Sequence, residues 1–182
     1  GAVSQRACVY CGARVVLNPV TDAAHLVHGP IGCATYTRDI RGSLSSGPEM
    51  YRNSFSTDLK GGDVIFGGER ELAACIDGVV GKCRRPAVFV YSTCVVGVIG
   101  DDIAAVCREA EVRHCIDVVP VESAGFKSGN KIIGYRAAAD ALLRLITPKN
   151  GEAVERTREV NFLGEYNLGG EKWIVERYLK EA

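Results

Sequence analysis

Eight thiols stand out in the 182-residue chain: Cys8, Cys11, Cys33, Cys75, Cys83, Cys94, Cys107 and Cys115. Thiolates are nucleophiles and ligands for soft metals, so each is either placed for chemistry or filling space. An even cysteine count reads as a disulfide framework only in short secreted chains that lack a core. Nothing in the sequence points to secretion, and free thiols are expected. Cys8, in RACVYCGA, precedes any recognisable element. Cys33, in HGPIGC, follows an apolar run broken by Gly29, Pro30 and Gly32. Cys94, in VYSTCVVGVIGDD, lies between a strand pattern and a helical one. All three read as loop residues, and two follow strand C-termini, where open α/β sheets put their ligand sites. The glycines beside Cys33 let backbone approach a bulky ligand. Backbone N–H groups at a helix start favour the thiolate and can donate to inorganic sulfide. Cys75 and Cys107 fall on apolar helical stripes and read as small core residues. Cys83 and Cys115 carry no chemical signal.

Cys8 and Cys11 form a C-x-x-C, which could be a zinc knuckle, a redox pair or neither. A closed zinc site would want a second C-x-x-C or a spaced histidine pair, and the sequence has neither. A thioredoxin-like pair would want a strand before it and a helix after it, and neither is visible around Cys8. His25 and His28, in HLVH, would face opposite sides of a strand and read as satisfied core histidines. Neither G-x-G-x-x-G nor G-x(4)-G-K-[ST] occurs, so the dinucleotide and P-loop readings lose their main support.

The elements that must position these thiols alternate between strand and helix. His25–Gly29, Asp63–Gly67, Ala87–Ser92, Ile116–Val121 and Val160–Tyr166 read as buried strands, rich in β-branched and aromatic residues. Helical spacing covers Glu69–Lys82, Asp101–Glu111, Asn130–Thr147 and Glu171–Ala182. Strand–helix alternation predicts a doubly wound, mainly parallel α/β sheet with right-handed crossovers, Rossmann-like but without the dinucleotide fingerprint. Cys33 and Cys94 are expected near neighbouring strand ends, with Cys8 reaching them on a flexible N-terminal loop. The polar stretch Thr147–Glu159 reads as a linker. The expected division is an N-terminal α/β domain over 1–147, a linker over 148–159, and over 160–182 the first strand–helix pair of a second α/β domain. A lone strand–helix pair cannot form a domain, so the sequence reads as the N-terminal part of a longer one; its start at Gly1 instead of a methionine reads as trimming.

Composition bounds the function. Apolar residues make up 47% and charged residues 24%, a globular mix that excludes intrinsic disorder. Lys plus Arg total 22, as do Asp plus Glu, so no basic field is available for generic nucleic-acid binding. Apolar runs such as Ala87–Tyr91 fall far short of the ~20 residues that span a bilayer, and no signal or transit peptide is visible. A soluble cytoplasmic protein is expected.

Three strings, HLVHGPIGCATYTRDIRGS, FSTDLKGGDVIFGG and VYSTCVVGVIGDDI, together with FLGEYNLGGE at Phe162–Glu171, resemble the N-terminal part of the nitrogenase component 1 family, in its α-type branch. The resemblance runs from Cys8 to the chain end. It implies that Cys8, Cys33 and Cys94 ligate an iron–sulfur cluster at the interface with a β-type partner. Three thiolates leave one site of a four-cysteine [4Fe–4S] cluster to be filled, and in the family the partner fills it. Cys11 has no counterpart in that pattern. Arg41, in RDIRGS, matches a family arginine lining the cofactor pocket; its other reading is a solvated charge at a helix end. Gly134-Tyr135-Arg136 stands where the catalytic α subunit carries Gly-His-His near its cofactor, and without imidazole a usual proton donor is missing. The resemblance therefore implies a scaffold for assembly of the iron–molybdenum cofactor. The alternative is the catalytic α subunit or a related reductase. Implied with it are the shared [4Fe–4S] cluster, a cofactor precursor in the full-length protein, a homologous β-type scaffold subunit in a heterodimer or heterotetramer, and the nitrogenase iron protein as electron donor.

Overall fold

The computed structural model describes residues 8–40, 53–125, 130–147, 177–178 and 180–181. Helix α1 (Val9–Leu17) leads into strand β1 (Ala23–His28), helix α2 (Ile31–Ile40) and the short strand β2 (Ser54–Ser56). Helices α3 (Gly61–Phe66) and α4 (Glu69–Cys83) precede strand β3 (Ala87–Ser92). Helices α5 (Cys94–Ile99) and α6 (Ile103–His114), strand β4 (Asp117–Val121) and helix α7 (Lys131–Ile146) follow. The strands form one parallel sheet in the order β2-β1-β3-β4.

Side chains alternate across the sheet, as the two-residue strand period requires. Ala23, Val27, Phe89, Tyr91, Val119 and Val121 face a core shared with α1 and α7. Ala24, Leu26, Val88, Val90 and Val118 face a second core, filled by Leu72 and Ile76 of α4, Val96 of α5, and Ile103, Val106 and Cys107 of α6. Both faces are covered, which is why the strands read as continuous apolar runs. The doubly wound α/β expectation is met. No helix among the described residues is long and apolar enough to cross a membrane.

The helix ends follow local chemistry. Asp102 caps α6, its Oδ1 accepting the Ala105 amide at 2.9 Å, and Asn130 caps α7 through the Ile132 amide at 3.0 Å. Two expectations are corrected. Asp63–Gly67 is not a strand: Gly61–Phe66 is helical, opened by the Asp63 carboxylate accepting the Lys60 amide at 2.8 Å, and Ile65 and Phe66 are exposed. A short apolar run does not by itself distinguish helix from strand. The second strand is instead Ser54–Ser56, pairing with β1 at the sheet edge. The linker and the strand expected over Val160–Tyr166 lie outside the described residues. Of the C-terminal helix expected over Glu171–Ala182, the described residues 177, 178, 180 and 181 are helical.

Helices α1 and α7 meet backbone to backbone on one sheet face. A Cβ at Gly134 would lie 2.0 Å from the Val9 carbonyl oxygen, and one at Gly12 would lie 2.1 Å from the Lys131 carbonyl oxygen. Gly78, on the exposed side of α4, has nothing within 4 Å of its Cβ position. Gly134→Ala is expected to cost about 1–3 kcal/mol by forcing the helices apart. Gly78→Ala should stabilise by about 0.5–1 kcal/mol, since alanine suits a helix interior better. Urea denaturation of the two variants reads both signs.

Candidate metal centre

Strands β1 and β3 are neighbours in register, with His28 opposite Ser92. From β1 the chain proceeds to β2 on one side, and from β3 to β4 on the other. The crevice beyond their C-terminal ends is therefore the topological switch point, where open α/β sheets bind ligands. The two strand ends come very close. A Cβ at Gly29 would lie 2.2 Å from the Thr93 hydroxyl, so only glycine permits α2 and α5 to start side by side.

Each expected ligand sits at the start of a helix. Cys33 is in the first turn of α2, its amide donating to the Pro30 carbonyl at 3.0 Å. Cys94 is the first residue of α5, behind the extended Thr93. Cys8 caps α1: its backbone is extended, and its sulfur accepts the Cys11 amide at 3.5 Å. The expectation that all three lie on loops, with Cys8 on a flexible segment, is corrected here. Cys8 is fixed by the helix that follows it, and its helix is tied to that of Cys33. The Tyr10 hydroxyl lies 2.7 Å from Thr37 Oγ1, which donates in turn to the Cys33 carbonyl at 3.2 Å.

The thiols sense one another. Burial raises the Cys33 pKa, and negative charge on Cys8 and Cys94 raises it further, which places the three in one electrostatic neighbourhood. The Cys8 pKa is instead lowered to about 6. The Cys11 thiol, 3.4 Å from Cys8 Sγ, is the main cause, and backbone N–H groups of the first turn assist against the opposing effect of burial.

Three thiols at helix N-termini suit a soft, anionic iron–sulfur cluster, whose sulfides accept hydrogen bonds from such N–H groups. Among the described residues, no group of three or more His, Cys, Asp and Glu side chains is arranged to hold a single metal ion. Gly125 packs closely beside Cys94. A Cβ at Gly125 would intrude to 3.1 Å from Cys94 Sγ and 3.9 Å from the Val9 amide.

The other expected residues separate cleanly. His25 is buried on one sheet face, bonded to the Tyr91 hydroxyl at 2.7 Å and the Val20 carbonyl at 2.9 Å, and burial holds its pKa well below the ordinary value. His28 is on the opposite face, bonded to Thr57 Oγ1 and Asp101. Both are satisfied core histidines, as expected. Cys107 is fully buried, and burial pushes its pKa up to about 12. Cys75 is half-buried at the edge of the same core. Arg41 lies outside the described residues.

Sequence reasoning did not single out Arg14. Its guanidinium is buried, donates to Ser54 Oγ at 2.5 Å and to the Tyr91 hydroxyl at 3.4 Å, and lies 5.1 Å from the Tyr91 ring centroid. It pins α1 to β2 and β3. Its place inside the apolar stretch GARVVL was the only available signal. Cys11, set aside as having no counterpart, is buried against Cys8.

A parallel four-stranded sheet covered by helices on both faces, with thiols at the helix starts beyond neighbouring strand ends, defines the class as a doubly wound α/β protein. The chain belongs to the nitrogenase component 1 type oxidoreductase family, whose pattern residues 8–182 match. It is 64% identical over 181 residues to the nitrogenase iron-molybdenum cofactor biosynthesis protein NifE of Clostridium pasteurianum, covering 100% of this chain and 39% of that protein. It is 55% identical over 184 residues to NifE of Methanosarcina barkeri, covering 96% and 40%. The chain thus spans about two-fifths of the length of these curated relatives. A solved structure of nitrogenase Cp1 at pH 6.5 is 35% identical with a TM-score of 0.82, covering 96% of this chain and 35% of that one.

The thiol chemistry is directly measurable. Under anaerobic alkylation by iodoacetamide, the rate at Cys8 should rise as pH passes through about 6 and level off above it, because only the thiolate reacts. Cys33 should gain rate only in the alkaline range, since its pKa is raised. Mass mapping of the alkylated peptides separates the two, and equal pH profiles would contradict the environments described.

Proposed function

We propose that this chain is the N-terminal part of a scaffold on which the iron–molybdenum cofactor of nitrogenase is assembled. In this reading Cys8, Cys33 and Cys94 hold a [4Fe–4S] cluster shared with a β-type partner chain. The single observation that carries the ligand set is the grouping of three thiols, each at a helix N-terminus, around one switch point. The names of the relatives carry the cofactor-assembly role. When bound, the cluster supplies one-electron relay chemistry. The chain's own contribution is to present thiolates and backbone N–H groups from helix starts, with Gly125 packed so closely beside Cys94 that a Cβ there would lie 3.1 Å from its sulfur.

Tyr135 and Arg136 favour the scaffold over the catalytic subunit. They stand on α7 where imidazoles would be needed as proton donors; Tyr135 packs against the core and Arg136 is exposed. The face around the thiols supports the partner. Ile31 and Tyr36, on the helix of Cys33, and Val98, on the helix of Cys94, are exposed at 52%, 42% and 66%, as apolar residues covered in an assembly would be. The partner is a homologous β-type subunit in a heterodimer or heterotetramer, and the nitrogenase iron protein is the electron donor. Arg41 is assigned to the pocket of the cofactor precursor.

The test uses the full-length protein co-expressed with its partner and purified anaerobically. Cys33→Ala should abolish the electron paramagnetic resonance signal of the interfacial cluster while the protein stays folded. Cys107→Ala should keep that signal and lower stability by about 1 kcal/mol, as a small core cavity does. Full cluster content in Cys33→Ala would show the ligand assignment to be wrong.

A further inference from the structure

We propose that Cys8 and Cys11 form a thiol–disulfide couple that closes by exchange with a low-molecular-weight disulfide and takes Cys8 out of use as a ligand. The second half of this proposal rests on the ligand reading of Cys8 above. The first half does not.

The geometry is that of a dithiol poised to close. The two sulfurs are 3.4 Å apart, and the extended backbone of Cys8 at the cap turns its side chain across the first turn of α1 toward Cys11. Cap and third helical residue lie about one turn apart, within the Cα separation that a disulfide bridges. The loop to be closed is very short, so little chain entropy opposes closure. Exposure divides the roles. Cys8 is half-exposed and can meet a small disulfide, whereas Cys11 is 4% exposed and lies behind it. The helix after Cys8, which the sequence did not reveal, supplies the support that a redox C-x-x-C needs.

The exchange balances with oxidised glutathione as the oxidant. Cys8 Sγ attacks one glutathione sulfur, the glutathione S–S bond breaks, and one glutathione thiolate leaves as a mixed disulfide forms on Cys8. Cys11 Sγ then attacks Cys8 Sγ, the mixed bond breaks, and the second glutathione thiolate leaves. Two protein thiols are oxidised, one glutathione disulfide is reduced, and the two protein protons pass to the two glutathione thiolates. Cys11 thus has a use that cluster ligation does not give it: it covers a reactive ligand thiol while no cluster is bound, and a reducing thiol restores that ligand.

The experiment uses the full-length protein with its partner, stripped of iron anaerobically and exposed to oxidised glutathione. Free thiols are then alkylated and the protein is cut with trypsin, which leaves Cys8 and Cys11 together in the peptide Ala7–Arg14. That peptide should be unalkylated and lighter by two hydrogen atoms, with Cys33 and Cys94 alkylated. In Cys11→Ser the reaction should stop at glutathione on Cys8. Alkylation of both thiols in the wild-type peptide, or Cys8 joined to Cys33 or Cys94, would overturn the couple. Iron uptake from ferrous iron and sulfide is measured in parallel, and should fall to background after oxidation and return with dithiothreitol. A formed disulfide with unchanged iron uptake would leave the couple standing and overturn the ligand reading of Cys8.

Discussion

Helices α1 and α7 touch at Gly12 and Gly134, and the position of Cys8 hangs on that contact. A parallel sheet brings the starts of α2 and α5 together by its own topology, because they follow adjacent strand ends. Nothing in the sheet dictates where α1 goes. It precedes β1 and must be pressed onto the sheet face by what covers it. Two glycines let α7 approach until a Cβ on either helix would overlap the other's backbone. Arg14 and Tyr10 then fix the roll of α1, the first through Ser54 and Tyr91, the second through Thr37. The third thiol is held where it is by packing that begins at the very next residue, Val9, against Gly134.

Once the helix starts converge, three influences act on the thiols: helix N-termini, burial and neighbouring sulfur. Unbonded N–H groups at a helix N-terminus stabilise negative charge, and each thiol stands at such an end. Burial works the other way and dominates at Cys33, while the Cys11 thiol tips the balance at Cys8. One neighbourhood thus holds a thiol ready to ionise beside one that resists it.

The sequence made the sheet legible where burial was complete. Ala87–Ser92 is buried at every position and read directly as β3. Glu69–Lys82 read as α4 because Leu72, Ile76 and Val79 repeat at helical spacing. Legibility failed where burial was partial or tertiary contacts ruled. Ser54–Ser56 is a half-buried three-residue edge strand, one phenylalanine between two serines, too short to carry a periodic signal. Val64, Ile65 and Phe66 look like a strand interior but lie exposed on a short helix. Helix α1 was hidden because cysteine is not among the usual capping residues and Val15 and Val16 are poor helix formers. Asn18 and Pro19, just past its end, were the signal that could have revealed it. The candidate site was legible as three residues by resemblance to a family. Their placement at helix starts, and the role of Cys11 beside them, needed the fold.

The most direct measurement is the structure of the anaerobically purified full-length protein with its partner. The account predicts one cluster at the β1–β3 switch point, with the sulfurs of Cys8, Cys33 and Cys94 each bonded to a different iron and the remaining ligand donated by the partner chain. A cluster held without Cys8, or one bound away from that crevice, would contradict it.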